Sequence, residues 1–283
     1  MRILIFGKTG QVATELQLQA DVVALGRDSA DLSDPAACAA VIAASDCDVV
    51  INAAAYTAVD RAEQEEAVAH VINGDAPTAM AHACAARGTP FIHISTDYVF
   101  AGTGTDPWRV SDPVAPQNAY GRTKLAGEEG VRAAGGQSAI LRTSWVFSAH
   151  GNNFVKTMLR LSQTRDALSV VADQIGGPTP AADIAKAALS MAQQMLSDPN
   201  KGGTHHFGGT PAVSWADFAT EIFTQANRAV TVSGIPTADY PTPACRPLNS
   251  RMDGTTLETD FNIAQPDWKT GLGCVLKTLE HTI

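Results

Sequence analysis

Gly7-Lys8-Thr9-Gly10-Gln11-Val12-Ala13 decides the fold, because of what stands on either side of it. Before it runs Ile3-Leu4-Ile5-Phe6, short and wholly apolar like a buried strand, and it opens a helix that carries Val12, Leu16 and Leu18. A strand turning through glycine into a helix leaves free backbone N–H groups at the helix N-terminus, where phosphate binds. The first glycine permits the sharp turn and the second lets the backbone approach a pyrophosphate. A small third residue, here Ala13, lets helix and strand pack closely. Gly7-Lys8-Thr9 does not end a Walker-type loop, since the glycine required five residues upstream is Arg2 here.

Working outward, apolar runs predict further strands at 22–25, 49–52, 91–95 and 139–143, with helical patterns between them. Asp34-Pro35 reads as an N-cap followed by proline at the first helical position, and Asp75-Ala76-Pro77 opens another helix that Gly88 ends. This α/β alternation predicts a Rossmann-type doubly wound parallel sheet. Beyond about residue 150 the elements thin out. Helices are predicted at 154–162, 181–195 and 214–226, the last opened by a Ser214 and Asp217 capping box, and a four-proline loop follows at 236–247. The expected division is a dinucleotide-binding domain over 1–150, to which some later segments return, and a smaller substrate-binding lobe over 151–283.

Composition narrows the function. A formal charge of −9 argues against broad nucleic-acid binding, which needs clustered Lys and Arg, but leaves room for a small anion held at a helix N-terminus. The five cysteines are scattered without a C-x-x-C pair, which suggests reduced thiols and a cytoplasmic setting. The N-terminal apolar run is too short for a signal peptide, and no stretch reaches the roughly 20 apolar residues of a membrane span.

The candidate chemistry lies at the strand ends. Gly26-Arg27-Asp28 falls where a ribose-reading residue belongs: Asp28 would accept from the 2′-hydroxyl of NAD, whereas Arg27 would pair with the 2′-phosphate of NADP, the reading adopted here. Tyr120 and Lys124, four apart in a predicted helix over 118–131, share one helix face. A carbonyl reductase needs an acid for the developing alkoxide, and a phenol near pKa 10 is a weak one. Bringing it to about 7 takes roughly 4 kcal/mol, within the means of one partly desolvated cation. Thr96, at the end of the fourth strand, delivers a hydroxyl to the sheet edge where ligands of such folds bind.

The glycine turn, Ser95-Thr96 and the Tyr120/Lys124 pair together resemble the extended short-chain dehydrogenase/reductase family. More narrowly, Asn52-Ala53-Ala54-Ala55-Tyr56, Ser95-Thr96-Asp97-Tyr98-Val99-Phe100, Gly151-Asn152-Asn153-Phe154, Asp173-Gln174-Ile175-Gly176-Gly177-Pro178-Thr179 and Arg246-Pro247-Leu248-Asn249-Ser250 resemble the dTDP-4-dehydrorhamnose reductases, in order along the whole chain. The resemblance implies hydride transfer from NADPH, with NADH the other admissible donor, to C4 of dTDP-4-dehydro-L-rhamnose. Tyr120 would be the proton donor, Lys124 would hold the nicotinamide ribose and lower the Tyr120 pKa, and Thr96 would hydrogen-bond the reacting oxygen. Gly7, Gly10, Gln11 and Val12 would contact the pyrophosphate, Asp31 and Leu32 the adenine side, and Ala53, Ala54 and Ala55 the cofactor from beneath. Asp97, Tyr98 and Trp145 would line the sugar pocket, and Asn153 and Arg246 would take the diphosphate. From the residues alone, Tyr98 and Trp145 serve equally well as sugar platforms or core caps. Tyr98, standing where related dehydratases carry an acid-base carboxylate, points away from dehydration.

Some members of the family dimerise around magnesium held by glutamates. Glu15 is present, but Ala182 occupies the second position beside the shorter Asp183, so no metal is expected, and a monomer or weak homodimer follows. His205-His206 would point to opposite strand faces, which suits structure better than a metal, and Glu63, Glu65 and Glu66 read as a solvated helix face. Two alternatives stand beside the reductase: another nucleotide-sugar epimerase or dehydratase of the same fold, and a non-catalytic NADP-binding regulatory subunit.

Overall fold

The computed structural model describes residues 1–280. Its first half alternates strand and helix: β1 (Ile3–Phe6), α1 (Gln11–Gln19), β2 (Val22–Leu25), α2 (Pro35–Ala44), β3 (Val49–Asn52), short α3 (Val59–Ala62) and α4 (Glu66–His70), α5 (Ala76–Arg87), β4 (Phe91–Thr96), α6 (Ala119–Ala133) and β5 (Ser138–Thr143). There follow β6 (Val146–Phe147), α7 (Phe154–Leu161), β7 (Ala167–Val171), β8 (Ile175–Gly176), β9 (Thr179–Pro180), α8 (Ala181–Ser197), β10 (Gly203–His206), β11 (Val213–Ser214), α9 (Trp215–Gln225), β12 (Thr231–Ile235), β13 (Asn249–Ser250), α10 (Thr255–Phe261) and α11 (Trp268–Glu280).

Six parallel strands form the central sheet in the order β10-β5-β4-β3-β1-β2. Strand alternation sorts β1 onto two cores. Ile3 and Ile5 pack with Leu16 of α1 and Ile184, Ala188 and Met191 of α8, while Leu4 and Phe6 pack with Ile42 of α2 and Met80 and Cys84 of α5. The sheet is therefore covered on both faces, as the alternation predicts. Residues 181–206 return to it, α8 lying on α1 and β10 pairing with β5. A third core is built on Phe147, Phe218, Trp268 and Leu272. Because β1 lies between β2 and β3, the chain reverses direction across the sheet there, and a crevice opens at the carboxyl ends of the strands.

One helix start differs from expectation. Asp75 is not an N-cap: its backbone is helical, its side chain caps nothing, and a π-helical turn over Val71–Asp75 joins α4 to α5 without a break. Pro77 would press its ring on the carbonyl four residues back, and a widened turn at that point relieves the clash. Asp34 does cap α2, accepting from Ala37 N at 3.0 Å, and Gly88 ends α5 at φ +66°. The Ser214 and Asp217 capping box is present.

Candidate active site

The strand ends open into a cleft of about 1090 Å³. At one end lies the phosphate turn. Gly7 takes φ +113°, and a Cβ there would stand 3.3 Å from both Ala13 Cβ and the Ala53 carbonyl, so turn and packing each require glycine. Gly10 differs, since its φ is −70° and a Cβ would meet nothing within 4 Å. Neither backbone nor neighbouring protein demands glycine at 10; room for something lying in the cleft does. Gly10 is also the N-cap of α1 and offers no side chain to its first N–H groups. A pyrophosphate fits such a cradle.

Arg27, Asp31 and Leu32 line the same cleft on one side, Ala53, Ala54 and Ala55 lie along it, and Thr96, Asp97, Tyr98, Tyr120, Lys124 and Trp145 close the far end. Thr96 ends β4, with Asp97 and Tyr98 in the following 3-10 turn, and its hydroxyl donates to Asp97 Oδ1 at 3.1 Å. Asp97 Oδ2 is buried without a partner, and burial pushes the carboxyl pKa up to about 6. Tyr98 meets Tyr120 edge to face at 5.4 Å.

Tyr120 and Lys124 sit on α6, whose N-terminus Asn118 caps by accepting from Gly121 N at 2.8 Å. A Cβ at Gly121 would fall 2.2 Å from the Tyr98 carbonyl, so only glycine lets the helix approach the Thr96 turn this closely. The electrostatics depart from the sequence expectation that Lys124 lowers the phenol. Burial and the Asp97 carboxylate push the Tyr120 pKa well above its ordinary value, with Thr96 opposing. Lys124 Nζ donates instead to Ile94 O at 2.7 Å and lies 3.2 Å from His93 Nε2.

Several residues that hold this geometry escaped the sequence reading. Glu63 accepts from Ala119 N at 2.7 Å, Glu66 takes Arg122 at 2.7 and 2.8 Å, and Glu65 accepts from the Tyr56 hydroxyl and from Arg61. The acidic run is a solvated face, as expected, but two of its members also fasten α6 across 56 residues of sequence. At the other end of the helix, buried Glu128 binds Arg142 of β5 at 2.8 and 2.6 Å and accepts from Ser95 at 2.6 Å. Burial would raise the Glu128 pKa, yet Arg142 and these hydrogen bonds hold it below the usual range.

Asn153 does not line the cleft. Its side-chain carbonyl caps α7 by accepting from Lys156 N, and its amide donates to Gln11 Oε1 at 2.9 Å and to Ser148 O at 2.8 Å, tying the start of α7 to the phosphate turn. Arg246 faces a second cavity of about 1010 Å³ that shares Tyr98 with the first, where it pairs with Asp60 at 2.6 Å and approaches the Tyr98 hydroxyl at 3.5 Å. Trp145, at φ +50°, stacks on Trp215 at 3.6 Å, so it packs against the third core while also lining the cleft.

The family model described as "RmlD substrate binding domain" matches residues 1–281. The chain belongs to the RmlD family. Among its relatives, the dTDP-4-dehydrorhamnose reductase of Sinorhizobium fredii is 44% identical over 95% of this chain and 94% of its own. The crystal structure of a dTDP-4-dehydrorhamnose reductase from Clostridium acetobutylicum superposes with a TM-score of 0.92 at 37% identity, covering 99% of this chain and 100% of that one. A Bacillus anthracis dTDP-4-dehydrorhamnose reductase solved in complex with NADP gives 0.91 at 35% identity over 98% and 99%. Glu15 lies 3.6 Å from His150, and burial raises its pKa. Both His205 and His206 are buried, with ring nitrogens on the carbonyls of Gly202 and Trp108 respectively. No helix among the described residues is long and apolar enough to cross a membrane.

Proposed function

We propose that this chain reduces the C4 carbonyl of dTDP-4-dehydro-L-rhamnose to dTDP-L-rhamnose with NADPH. The observation that carries the reading is one cleft with the phosphate turn at one end and Thr96, Tyr120 and Lys124 at the other. Relatives bearing the reductase name match the chain almost end to end. Gly7, Gly10, Gln11 and Val12 would hold the pyrophosphate, Arg27 the 2′-phosphate, Asp31 and Leu32 the adenine side, and Ala53 to Ala55 the dinucleotide from beneath. NADPH, when bound, supplies the hydride.

The protein's own part is a proton. Burial keeps Tyr120 protonated throughout the neutral range, so it enters the reaction as an acid: its O–H bond breaks as the carbonyl oxygen gains negative charge and takes the proton. The Thr96 hydroxyl, which donates to Asp97 in the ligand-free protein, would turn its one hydrogen to that oxygen, and Lys124 would hold the ribose. Asp97, Tyr98 and Trp145 line the sugar, and Arg246, fixed by Asp60, reaches toward the diphosphate from the adjoining cavity. Asn153 acts indirectly, by fixing Gln11.

The test is an assay of the purified chain on enzymatically prepared dTDP-4-dehydro-L-rhamnose, with NADPH and NADH in parallel. Loss of reduced-nicotinamide absorbance in step with product, faster with NADPH, is expected. Conversion without net consumption of nicotinamide would instead indicate an epimerase or dehydratase. Binding of NADPH without turnover of any dTDP-4-keto sugar would indicate a regulatory subunit.

A further inference from the structure

Arg246 lies in a loop that cannot fasten itself. Pro236, Pro241, Pro243 and Pro247 carry no N–H, so the segment has few donors for a backbone ladder. Side chains from the other half of the chain hold it instead. Asp60, on the short helix α3, accepts from the backbone N–H of Ala244 through Oδ1 at 3.2 Å and from Arg246 Nη2 through Oδ2 at 2.6 Å. The Asn118 amide donates to Cys245 O at 2.8 Å, while its Oδ1 caps α6 on Gly121 N, also at 2.8 Å. The stretch from Ala244 to Arg246 is thus gripped from both sides, by the end of one short helix and the start of the helix that bears Tyr120.

What the guanidinium faces gives the grip its meaning. Arg246 and Asp60 both line the cavity of about 1010 Å³ that adjoins the cleft at Tyr98, and Arg246 Nη1 stands 3.5 Å from the Tyr98 hydroxyl. By charge alone, a carboxylate on the wall of a cavity that takes an anion weakens binding, because like charges repel. Preorganisation acts the other way. A free arginine side chain loses many rotamers when a ligand orders it, and one already held by a partner loses fewer. With Nη2 engaged by Asp60, the remaining guanidinium N–H groups are left for a ligand in a fixed fork.

We propose that Asp60 is a positioning residue for the sugar nucleotide, holding Arg246 in the geometry that receives the diphosphate and so raising affinity for an anion although it is itself negative. The inference rests on the reductase reading and deepens it. It also separates the tasks of two neighbouring acids. Glu63 fastens the helix that bears Tyr120, whereas Asp60 fastens the loop that bears Arg246. The first is needed for the chemical step and the second for holding the substrate.

Calorimetric titration of dTDP into the purified chain and into Asp60→Asn tests this. Asparagine keeps the size of the side chain but replaces one accepting oxygen with a donor, so Ala244 and Arg246 no longer have an acceptor each. The Kd for dTDP should rise about tenfold, the scale of one hydrogen bond to a charged group. A pure charge effect has the opposite sign, since loss of the carboxylate would tighten binding. In an Arg246→Ala background, Asp60→Asn should change Kd by less than about twofold, because the residue it acts through is gone. In turnover, the KM for dTDP-4-dehydro-L-rhamnose should rise with that Kd while kcat and the KM for NADPH hold. Unchanged or tighter dTDP binding in Asp60→Asn would overturn the proposal, as would an equal loss in the Arg246→Ala background. If the unmodified chain does not bind dTDP, the reductase reading falls and the inference falls with it. If Asp60→Asn does not fold, nitrogen-15 NMR of the Arg246 guanidinium in the unmodified chain, assigned with Arg246→Lys, decides. Separate signals for its two Nη groups are expected of a held side chain, and one averaged signal would overturn the proposal.

Discussion

Glu63 Oε1 accepts the backbone N–H of Ala119, the first residue of the helix that carries Tyr120, at 2.7 Å. The contact satisfies one of the free donors at that helix start and places negative charge at the positive end of the helix dipole. Glu63→Ala should therefore cost about 1 kcal/mol, the scale of a lost N-cap, and loosen Tyr120 without touching the phosphate turn. Urea unfolding should show the loss. Steady-state kinetics should show kcat reduced several-fold with the KM for NADPH unchanged, and an equal rise in that KM would contradict the assignment.

The exposure of Glu63 is legible in the sequence, but its contact to Ala119 is not. The strands and the Tyr120/Lys124 pair were legible because their signals are local, with periods of two and of 3.6 and residues four apart on one helix. Glu63 and Glu66 bind Ala119 and Arg122, each 56 residues away, and a run of acids looks the same whether its partners are water or another helix. Asn153 shows the converse. Its motif placed it at the diphosphate, whereas its amide is spent on Gln11 and Ser148.

Tyr120→Phe removes the acid and leaves the ring in place. Positioned proton transfer contributes typically 10²–10⁴-fold, so kcat should fall by about that factor while cofactor affinity, measured by fluorescence titration, changes little. An unchanged kcat would require another proton donor.

Asp97 makes an opposite demand on stability. Its carboxyl is raised from 3.8 to about 6 by burial, so the folded state holds that proton more tightly than the unfolded chain does. Stability from this group is present below 3.8 and is lost as pH rises toward 6, a difference of roughly 1 to 3 kcal/mol. Asp97→Asn should recover part of it at pH 7.5 and flatten that segment of the stability curve, while turnover falls because the sugar pocket and the Thr96 hydroxyl lose a charged acceptor. A variant neither more stable nor less active would show that the carboxylate is not held under this strain.

Glu128 has the reverse sign. Arg142 and Ser95 hold its pKa below the ordinary 4.5, so its contribution is full above that value and disappears as pH falls through the folded-state value. Both partners are buried, and removing one strands the other's charge, which costs about 3–5 kcal/mol in comparable pairs. Glu128→Gln should accordingly lower stability by about that much at pH 7, and the gap between variant and parent should narrow as pH drops below 4.5. Because Glu128 ties α6 to β4 and β5, the loss should also reach catalysis, reducing kcat as the helix bearing Tyr120 loosens from the strand bearing Thr96. Urea midpoints of the two proteins between pH 7 and pH 4 decide the point, and a gap that stays constant across that range would mean the carboxylate is not the group that titrates.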